Sequence, residues 1–284
     1  MPIQYPEILS LASDDFTARY TDRDTMLYAL GVGMGADPMN EKELPFVYEN
    51  GLKALPTMAT VIAWGAGGLA LRMGINYLMV VHGEQKLEIH EPLPTDAQIK
   101  AGVRVIGAYD KGKDKGAVIY TETTITRTDT GAKLATLVSS TFARGDGGFG
   151  GPSEGAPEPH STPSRAPDAE VALATRPDQA LIYRLSGDRN PLHSDPNVAR
   201  LAGFPRPILH GLCTYGVTCR AVLQTYADYD PSRIKNFDVR FSSPVFPGET
   251  IVTRMWRDGN VISFEASVAE RNVTVIKNGR CVLA

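Results

Sequence analysis

The chain has 284 residues, of which 43% are hydrophobic and 21% are charged, and its formal net charge is −3. This composition is typical of a folded globular protein and excludes an intrinsically disordered chain. The near balance of 29 basic and 32 acidic residues gives no general attraction to nucleic acid or to an anionic membrane, so we expect neither as a partner. Three cysteines without metal-finger spacing, and no visible secretory signal or membrane-spanning run, predict a cytoplasmic protein.

In chain order, the first feature is a pattern that returns in the second half of the sequence. Residues 21–33 (TDRDTMLYALGVG) resemble residues 176–188 (RPDQALIYRLSGD), so that Tyr28 matches Tyr183. Residues 90–99 (HEPLPTDAQI) likewise resemble residues 242–251 (SSPVFPGETI), where prolines precede a strand-like run. Self-similarity over such a long separation predicts an old duplication rather than a solenoid.

Each copy is predicted to consist of one helical segment followed by an antiparallel meander, which means a curved sheet wrapped around a helix. The second copy contains a strongly apolar helical segment, whereas the GAGG sequence interrupts the corresponding segment of the first copy. Asp258-Gly259 and Asn278-Gly279 are hairpin signals. The predicted helices cover residues 57–73 and 207–230, and the predicted strands cover residues 77–89, 99–109, 117–127, 133–142, 234–241, 250–257, 261–268 and 273–283.

A Gly/Pro-rich stretch separates the copies. Residues 145–168 contain many glycines and prolines with little apolar periodicity, which is typical of a linker or a long surface loop. The sequence therefore predicts a first half (residues 1–147), a linker (residues 148–169) and a second half (residues 170–284).

One loop of the second half concentrates polar chemistry. Asp188, Asn190 and His193 lie within six residues among turn formers, directly before the apolar helix. The plainer interpretation is an Asx turn followed by a surface histidine. A carboxylate and an imidazole in this spacing can also hold one water molecule and exchange a proton with it. The first half has glycine and proline at the matching positions, so only the second half is expected to be catalytic.

Other residues are candidates for parts of a site. Gly211 opens the apolar helix, where a backbone N–H can stabilise a developing negative charge, although close packing alone would also explain a glycine. His193, His210 and Cys213 supply at most three metal ligands in a spacing that matches no known metal motif, so no metal is expected. His82-Gly83 echoes His210-Gly211. The KGKDK loop that begins at Lys111 is either a solvated loop or a contact for phosphate groups.

These residues resemble a known family. YRLSGDRNPLH followed by PRPILHGLCTYG is similar to the signature of the (R)-specific 2-enoyl-CoA hydratases, the hydratase 2 or MaoC-like group. Further segments (TDRDTMLYALGVG, LPTMATVI, VVHGEQKLEI and GGFGG) resemble the two-domain hydratase 2 module of peroxisomal multifunctional enzymes of type 2. The resemblance implies an α+β double hot-dog fold, in which the first half accommodates the acyl chain and lacks the catalytic loop, and a homodimer.

The resemblance also implies roles for individual residues. Asp188 and His193 would hold and activate water, Asn190 would support them, and the Gly211 N–H would bind the thioester oxygen. Contacts with the acyl-CoA are implied for His82, Gly83, Lys111, Arg189, Pro191, Leu192 and Phe241. Which of Asp188 and His193 is the dominant base stays open.

The function that follows is reversible hydration of a trans-2-enoyl-CoA to the (3R)-3-hydroxyacyl-CoA in fatty acyl-CoA metabolism, without a cofactor. Two alternatives stay open, because a fold does not fix the chemistry of its site. One is an acyl-CoA thioesterase, and the other is a non-catalytic acyl-CoA-binding protein.

Overall fold

The computed structural model describes residues 2–13, 15–65, 68–76 and 79–284. All of its strands belong to one antiparallel sheet with the order β1-β3-β4-β5-β2-β7-β10-β9-β8-β6. The bounds are β1 Phe16–Tyr20, β2 Val80–Ile89, β3 Ala97–Asp110, β4 Ala117–Arg127, β5 Lys133–Ala143, β6 Ala169–Ala174, β7 Ile234–Phe241, β8 Thr250–Asp258, β9 Val261–Val268 and β10 Val273–Leu283.

The strand order is a mirror image about its centre, as expected for two copies of one plan. β1 to β5 take the same relative places as β6 to β10, and the copies meet where β2 pairs with β7. At this junction Gln85 lies opposite Val239 and Glu88 lies opposite Asn236. The two similar proline-containing segments both connect corresponding strands, β2 to β3 and β7 to β8. The predicted duplication is therefore visible in the topology.

The helices are α1 Asp22–Gly31, α2 Leu44–Val47, α3 Ala59–Ile62, α4 Gln179–Tyr183, α5 Pro196–Leu201 and α6 Gly211–Tyr226. Short 3-10 turns cover Glu7–Ser10, Pro56–Met58, Leu69–Arg72, Arg184–Ser186, Pro191–His193 and Pro231–Arg233. Within the described ranges, no helix is long and apolar enough to cross a membrane.

α6 is the central helix of the second half. Every residue from 212 to 223 is buried, because the sheet curves around the helix and the first half covers its remaining side. Gly216 makes this approach possible, since a Cβ there would lie 2.4 Å from Cγ1 of Val32. The predicted helix was too long at both ends, because the backbone of His210 is extended and Ala227 leaves the helical geometry.

The helix predicted over residues 57–73 is wrong in length. In the described part of this range, the structure has the turn Pro56–Met58 with α3, and then the separate turn Leu69–Arg72. Gly65 and Gly68 have positive φ values of 88° and 44°, which end a right-handed helix. Ala66 and Gly67 of the GAGG sequence lie outside the described residues.

The eight predicted strands are confirmed to within two residues at each end, except at residues 77 and 78, which lie outside the described residues. The structure adds β1 and β6, which the sequence analysis did not predict. Asp258-Gly259 does mark the β8–β9 hairpin. Asn278-Gly279 does not mark a hairpin. It forms a bulge inside β10, where Asn278 has φ 55° and the pairing register with β7 and β9 shifts. The same residue types suit both a turn and a bulge.

Buried contacts join the two copies. The matched tyrosines Tyr28 and Tyr183 pack with ring centroids 5.9 Å apart. Arg220 of α6 forms an ion pair with Glu43 at 2.7 Å, with both side chains almost wholly buried. Glu43 also accepts a hydrogen bond from the N–H of Gly35 at 2.8 Å, so this carboxylate is satisfied on both oxygens.

The Gly/Pro-rich stretch is fixed along the surface. Near its start, Asp110 accepts hydrogen bonds from the N–H groups of Gly148 and Gly150, both at 2.8 Å. Further along, His160 contacts the hydroxyl of Ser263 at 2.8 Å, and its carbonyl accepts from Asn278 at 2.7 Å. The sequence left open whether this segment is a linker or a long surface loop, and these contacts show that it is a long surface loop.

Candidate active site

The loop of residues 187–193, here called the catalytic loop, follows α4 and the turn Arg184–Ser186. Gly187 begins it with φ 147°. A Cβ at Gly187 would lie 2.9 Å from Cβ of Trp64, a contact closer than side chains normally make. A glycine is therefore required for the loop to turn against this tryptophan of the first half.

Local hydrogen bonds shape the loop. The Oδ1 of Asp188 accepts from the N–H of Asn190 at 3.0 Å, and the Oδ1 of Asn190 accepts from the N–H of Leu192 at 3.0 Å. The first bond is the Asx turn of the plainer interpretation. The second caps the 3-10 turn Pro191–His193, so Asn190 holds the backbone that carries His193.

His193 is buried, with 9% of its surface exposed. Its Nδ1 lies 2.9 Å from the carbonyl oxygen of Ile208. Because a carbonyl oxygen can only accept, Nδ1 carries the proton, and Nε2 of the neutral ring keeps a free lone pair. Burial lowers the pKa of His193 below its ordinary value, while the Ile208 bond and the nearby Asp188 partly oppose that change. The ring is therefore a neutral base near pH 7.

His210 lies directly against His193. The two rings stack with centroids 3.7 Å apart and an interplanar angle of 27°. The Nε2 of His210 lies 3.1 Å from the backbone carbonyl oxygen of Asp188. Burial, with His193 and Arg184 as further causes, lowers the pKa of His210 to about 3, so this ring is also neutral.

Asp188, His193 and His210 each place one polar atom within 4.8 Å of those of the other two. One water molecule can bridge such a distance with two ordinary hydrogen bonds. A metal ion fits less well, since it would need lone pairs of both rings directed at one point about 2.1 Å away. Nearly parallel stacked rings do not direct their lone pairs in this way, and each ring already bonds a carbonyl group.

Cys213 takes no part in this cluster. Its Sγ contacts the carbonyl oxygen of Gly31 at 3.3 Å and the amide of Gln179 at 3.6 Å. Burial raises the pKa of the thiol to about 12. Cys213 is thus a packing residue behind the site.

Gly211, Phe241 and His82 form a second group beside the histidines. Gly211 is the first residue of α6, and within the described chain its N–H has no hydrogen-bond partner. A Cβ at Gly211 would lie 3.4 Å from the Phe241 ring, and the same ring lies 4.9 Å from that of His82. The two His-Gly pairs of the sequence therefore meet at Phe241, one on a strand and the other at a helix start.

The remaining predicted contacts are more scattered. The ammonium group of Lys111 donates to the carbonyl oxygen of Ser153 at 2.6 Å, at the end of β3, which β4 and β5 separate from β2. Gly83 packs against Ser140, whose Oγ would lie 2.7 Å from a Cβ there, so packing alone accounts for this glycine. Three residues of the catalytic loop are exposed or half-buried beside the cluster, Arg189, Pro191 and Leu192.

Sequence reasoning missed three contributions to the site. Trp64 comes from the first half, and nothing in its local sequence marks it. Ile208 acts through its backbone carbonyl, which no side-chain pattern reveals. The sequence indicates His210 only as a candidate metal ligand, although the repetition of the His82-Gly83 pair at His210-Gly211 is a signal that points to it.

Two family models match the chain. The MaoC like domain matches residues 158–279, and the MFE-2 hydratase 2 N-terminal domain matches residues 18–145. Among curated proteins, enoyl-CoA hydratase ChsH3 of Mycobacterium tuberculosis is 40% identical over 98% of both chains. Peroxisomal multifunctional enzyme type 2 of Mus musculus is 44% identical over 93% of this chain, which spans only 36% of that protein.

A crystal structure of a MaoC-like dehydratase from Phytophthora capsici is similar with a TM-score of 0.89 and 35% identity, over 99% of this chain and 98% of that one. The predicted double hot-dog fold is confirmed. Since similarity of this strength runs along nearly the whole chain, the protein belongs to the MaoC-like family, in the group with the two domains of hydratase 2.

Proposed function

We propose that this protein hydrates trans-2-enoyl-CoA to (3R)-3-hydroxyacyl-CoA, reversibly, in fatty acid metabolism. Relatives named enoyl-CoA hydratase align with almost its entire length. The observation that carries the proposal is the placement of the Asp188 carboxylate and a His193 ring nitrogen within 4.8 Å of each other, beside the free N–H of Gly211.

In the proposed mechanism, water bridges Asp188 and Nε2 of His193. As its oxygen bonds to C3 of the substrate, one proton passes to the pair, and the pair returns one proton to C2. The net change is the addition of one water molecule. The Nδ1–H bond to Ile208 fixes the His193 ring in the tautomer that this step needs.

Negative charge develops on the thioester oxygen as C3 is attacked. The proposal places this oxygen at the Gly211 N–H, where the start of α6 adds its own partial positive charge. Asn190 supports His193 through the cap that it makes. His82 and Phe241 would form the wall beside the thioester, and Lys111 would meet the phosphates of CoA, with Gly83, Arg189, Pro191 and Leu192 as further contacts.

The division of labour between the halves is also part of the proposal. The second half carries the reacting groups, and the first half encloses the acyl chain, with Trp64 where it reaches the catalytic loop. The mechanism uses no metal or redox cofactor. A homodimer and a cytoplasmic location stay predictions, and light scattering and cell fractionation would test them.

The direct test is hydration of crotonyl-CoA, followed by the loss of enoyl thioester absorbance. Asp188→Asn and His193→Gln are each expected to lower kcat by about 10²–10⁴-fold, the usual contribution of general acid–base catalysis. Product oxidised by a (3R)-specific dehydrogenase, and not by a (3S)-specific one, would establish the stereochemistry.

A matched control lies on the same segment. Asp195 accepts a hydrogen bond from the N–H two residues later, at 2.7 Å, in the same way as Asp188 does. An asparagine side chain also has an oxygen that can accept this bond, so the local turn is kept in both Asp188→Asn and Asp195→Asn. Asp195→Asn should therefore retain nearly full activity. Near-normal turnover of a folded Asp188→Asn protein would contradict the assignment. Release of CoA from a saturated acyl-CoA, without hydration, would show a thioesterase instead, and binding without turnover would show a carrier.

A further inference from the structure

His210 is buried deeper than either proposed catalytic side chain, with 1% of its surface exposed, and the proposed mechanism gives it no proton to transfer. Its ring contacts with described residues are nevertheless at the candidate site or directly beside it. It stacks on His193, it packs 5.0 Å from the ring of Tyr183, and it bonds the backbone of Asp188.

The direction of that last bond follows from its partner. The Asp188 carbonyl can only accept, so Nε2 of His210 carries the proton, and a neutral ring then leaves Nδ1 bare. Nδ1 is buried and has no partner within the described residues. A buried Nδ1 lone pair without a donor costs less free energy than a buried Nδ1–H without an acceptor, so the surroundings favour the Nε2–H tautomer.

The two proposed catalytic groups differ in how they are anchored. His193 is buried and has its own bond to Ile208, so its position does not depend on a hydrogen bond from His210. Asp188 is only half-buried, and its carboxylate is tied to its own loop through Asn190. Among the described residues, the His210 bond is what fixes the Asp188 backbone to a rigid element, since His210 is the residue that caps α6.

We propose that His210 is a positioning residue, which holds Asp188 in its reactive place through the Nε2–H bond to the Asp188 carbonyl oxygen. This inference rests on the proposed hydration. It adds the requirement that the side chain at position 210 is a neutral hydrogen-bond donor. A role in packing alone would not need a donor, and any ring of similar size would serve.

Two variants separate the donor from the ring. His210→Phe keeps the stacking surface and removes the donor, whereas His210→Gln removes the ring and keeps an amide N–H at nearly the same reach. A shift of about 1 Å in a reacting group can cost about 10²-fold in rate. We therefore expect His210→Phe to lose about 10²-fold in kcat with little change in KM, and His210→Gln to keep most of kcat. Equal losses in the two variants, or full activity of His210→Phe, would overturn the proposal.

A second measurement needs no variant and no substrate. Nitrogen-15 NMR of the unaltered protein should show His210 as the neutral Nε2–H tautomer, and a proton on Nδ1 would overturn the proposal whether or not His210→Phe folds. If the unaltered protein hydrates no enoyl-CoA, the proposed function fails. Two measurements would then still decide whether His210 holds the loop. One is the tautomer of His210, and the other is the protection of the Asp188–Asn190 amides from hydrogen exchange, compared between His210→Gln and His210→Phe.

Discussion

Acid should destabilise the protein through His210, by an amount that follows from its pKa. An unfolded histidine has a pKa of about 6.5, and burial beside His193 and Arg184 lowers that of His210 to about 3. Below pH 6.5 the unfolded chain therefore binds a proton that the folded chain refuses. The contribution of His210 to the free energy of unfolding is therefore fully present above pH 6.5 and is lost as the pH falls towards 3.

For these two pKa values, the linkage relation gives a loss of about 2 kcal/mol between pH 7.5 and pH 5 from this group alone. His210→Gln has no such group. The difference between the free energies of unfolding at the two pH values should therefore be about 2 kcal/mol larger for the unaltered protein than for the variant.

Urea unfolding of both proteins at pH 7.5 and pH 5, followed by circular dichroism, measures this difference. Titrating groups that do not contact position 210, such as His160, cancel in the comparison. The same pH dependence in both proteins would refute the reasoning, since it would mean that His210 accepts a proton as readily in the folded protein as in the unfolded chain.

Three further predictions concern other contacts. Glu43→Gln leaves the buried Arg220 guanidinium without its partner, so unfolding should become easier by about 3–5 kcal/mol, seen as a lower urea midpoint. Gly187→Ala places a Cβ against Trp64 at a distance that real contacts avoid, so kcat should fall as the catalytic loop shifts. Because burial lowers the pKa of His193 and its neutral ring is the active form, the acid limb of kcat/KM should lie below about pH 6.5.

Controls for the first two exist in the chain. Glu170→Gln breaks an ion pair with Arg254 in which both side chains are half exposed. Such surface pairs contribute little to the free energy of unfolding. A loss of stability as large as that of Glu43→Gln would therefore contradict the burial argument. Gly203 also has positive φ, 86°, but has nothing within 4 Å of its Cβ position. Gly203→Ala should therefore leave kcat unchanged. An acid limb above pH 6.5 would contradict the third prediction.

The sequence was sufficient for β2 to β5, β7 to β10 and the duplication, because alternating apolar residues and turn formers report on local structure. It did not predict β1 and β6, which are short strands of five and six residues at the two edges of the sheet. It was insufficient where one composition permits two geometries, as at Asn278, where a turn signal became a bulge. It also failed in the first half, since Gly65 and Gly68 interrupt a pattern that is apolar enough for a helix.

For the candidate site, the sequence predicts that Asp188 and His193 act together because both lie on one short loop, and the structure places their polar atoms within 4.8 Å of each other. The contacts that orient them could not be read from it. The stacking of His193 on His210 depends on how the loop folds back onto α6, and the approach of Trp64 depends on how the two copies pack. Such contacts arise from tertiary structure and leave no periodic trace in the chain.

The mirror arrangement of the sheet about the β2–β7 pairing has a consequence for stoichiometry. Two separate copies of the Asp188-bearing unit would be free to associate through β7 alone, and such a pair would carry two copies of the candidate site. Fusion in one polypeptide keeps unlike units at an effective local concentration in the millimolar range, which favours the mixed pair. Each molecule then has a single Asp188–His193 pair, and residues of the other unit that do not contact the loop of this pair can vary without moving it.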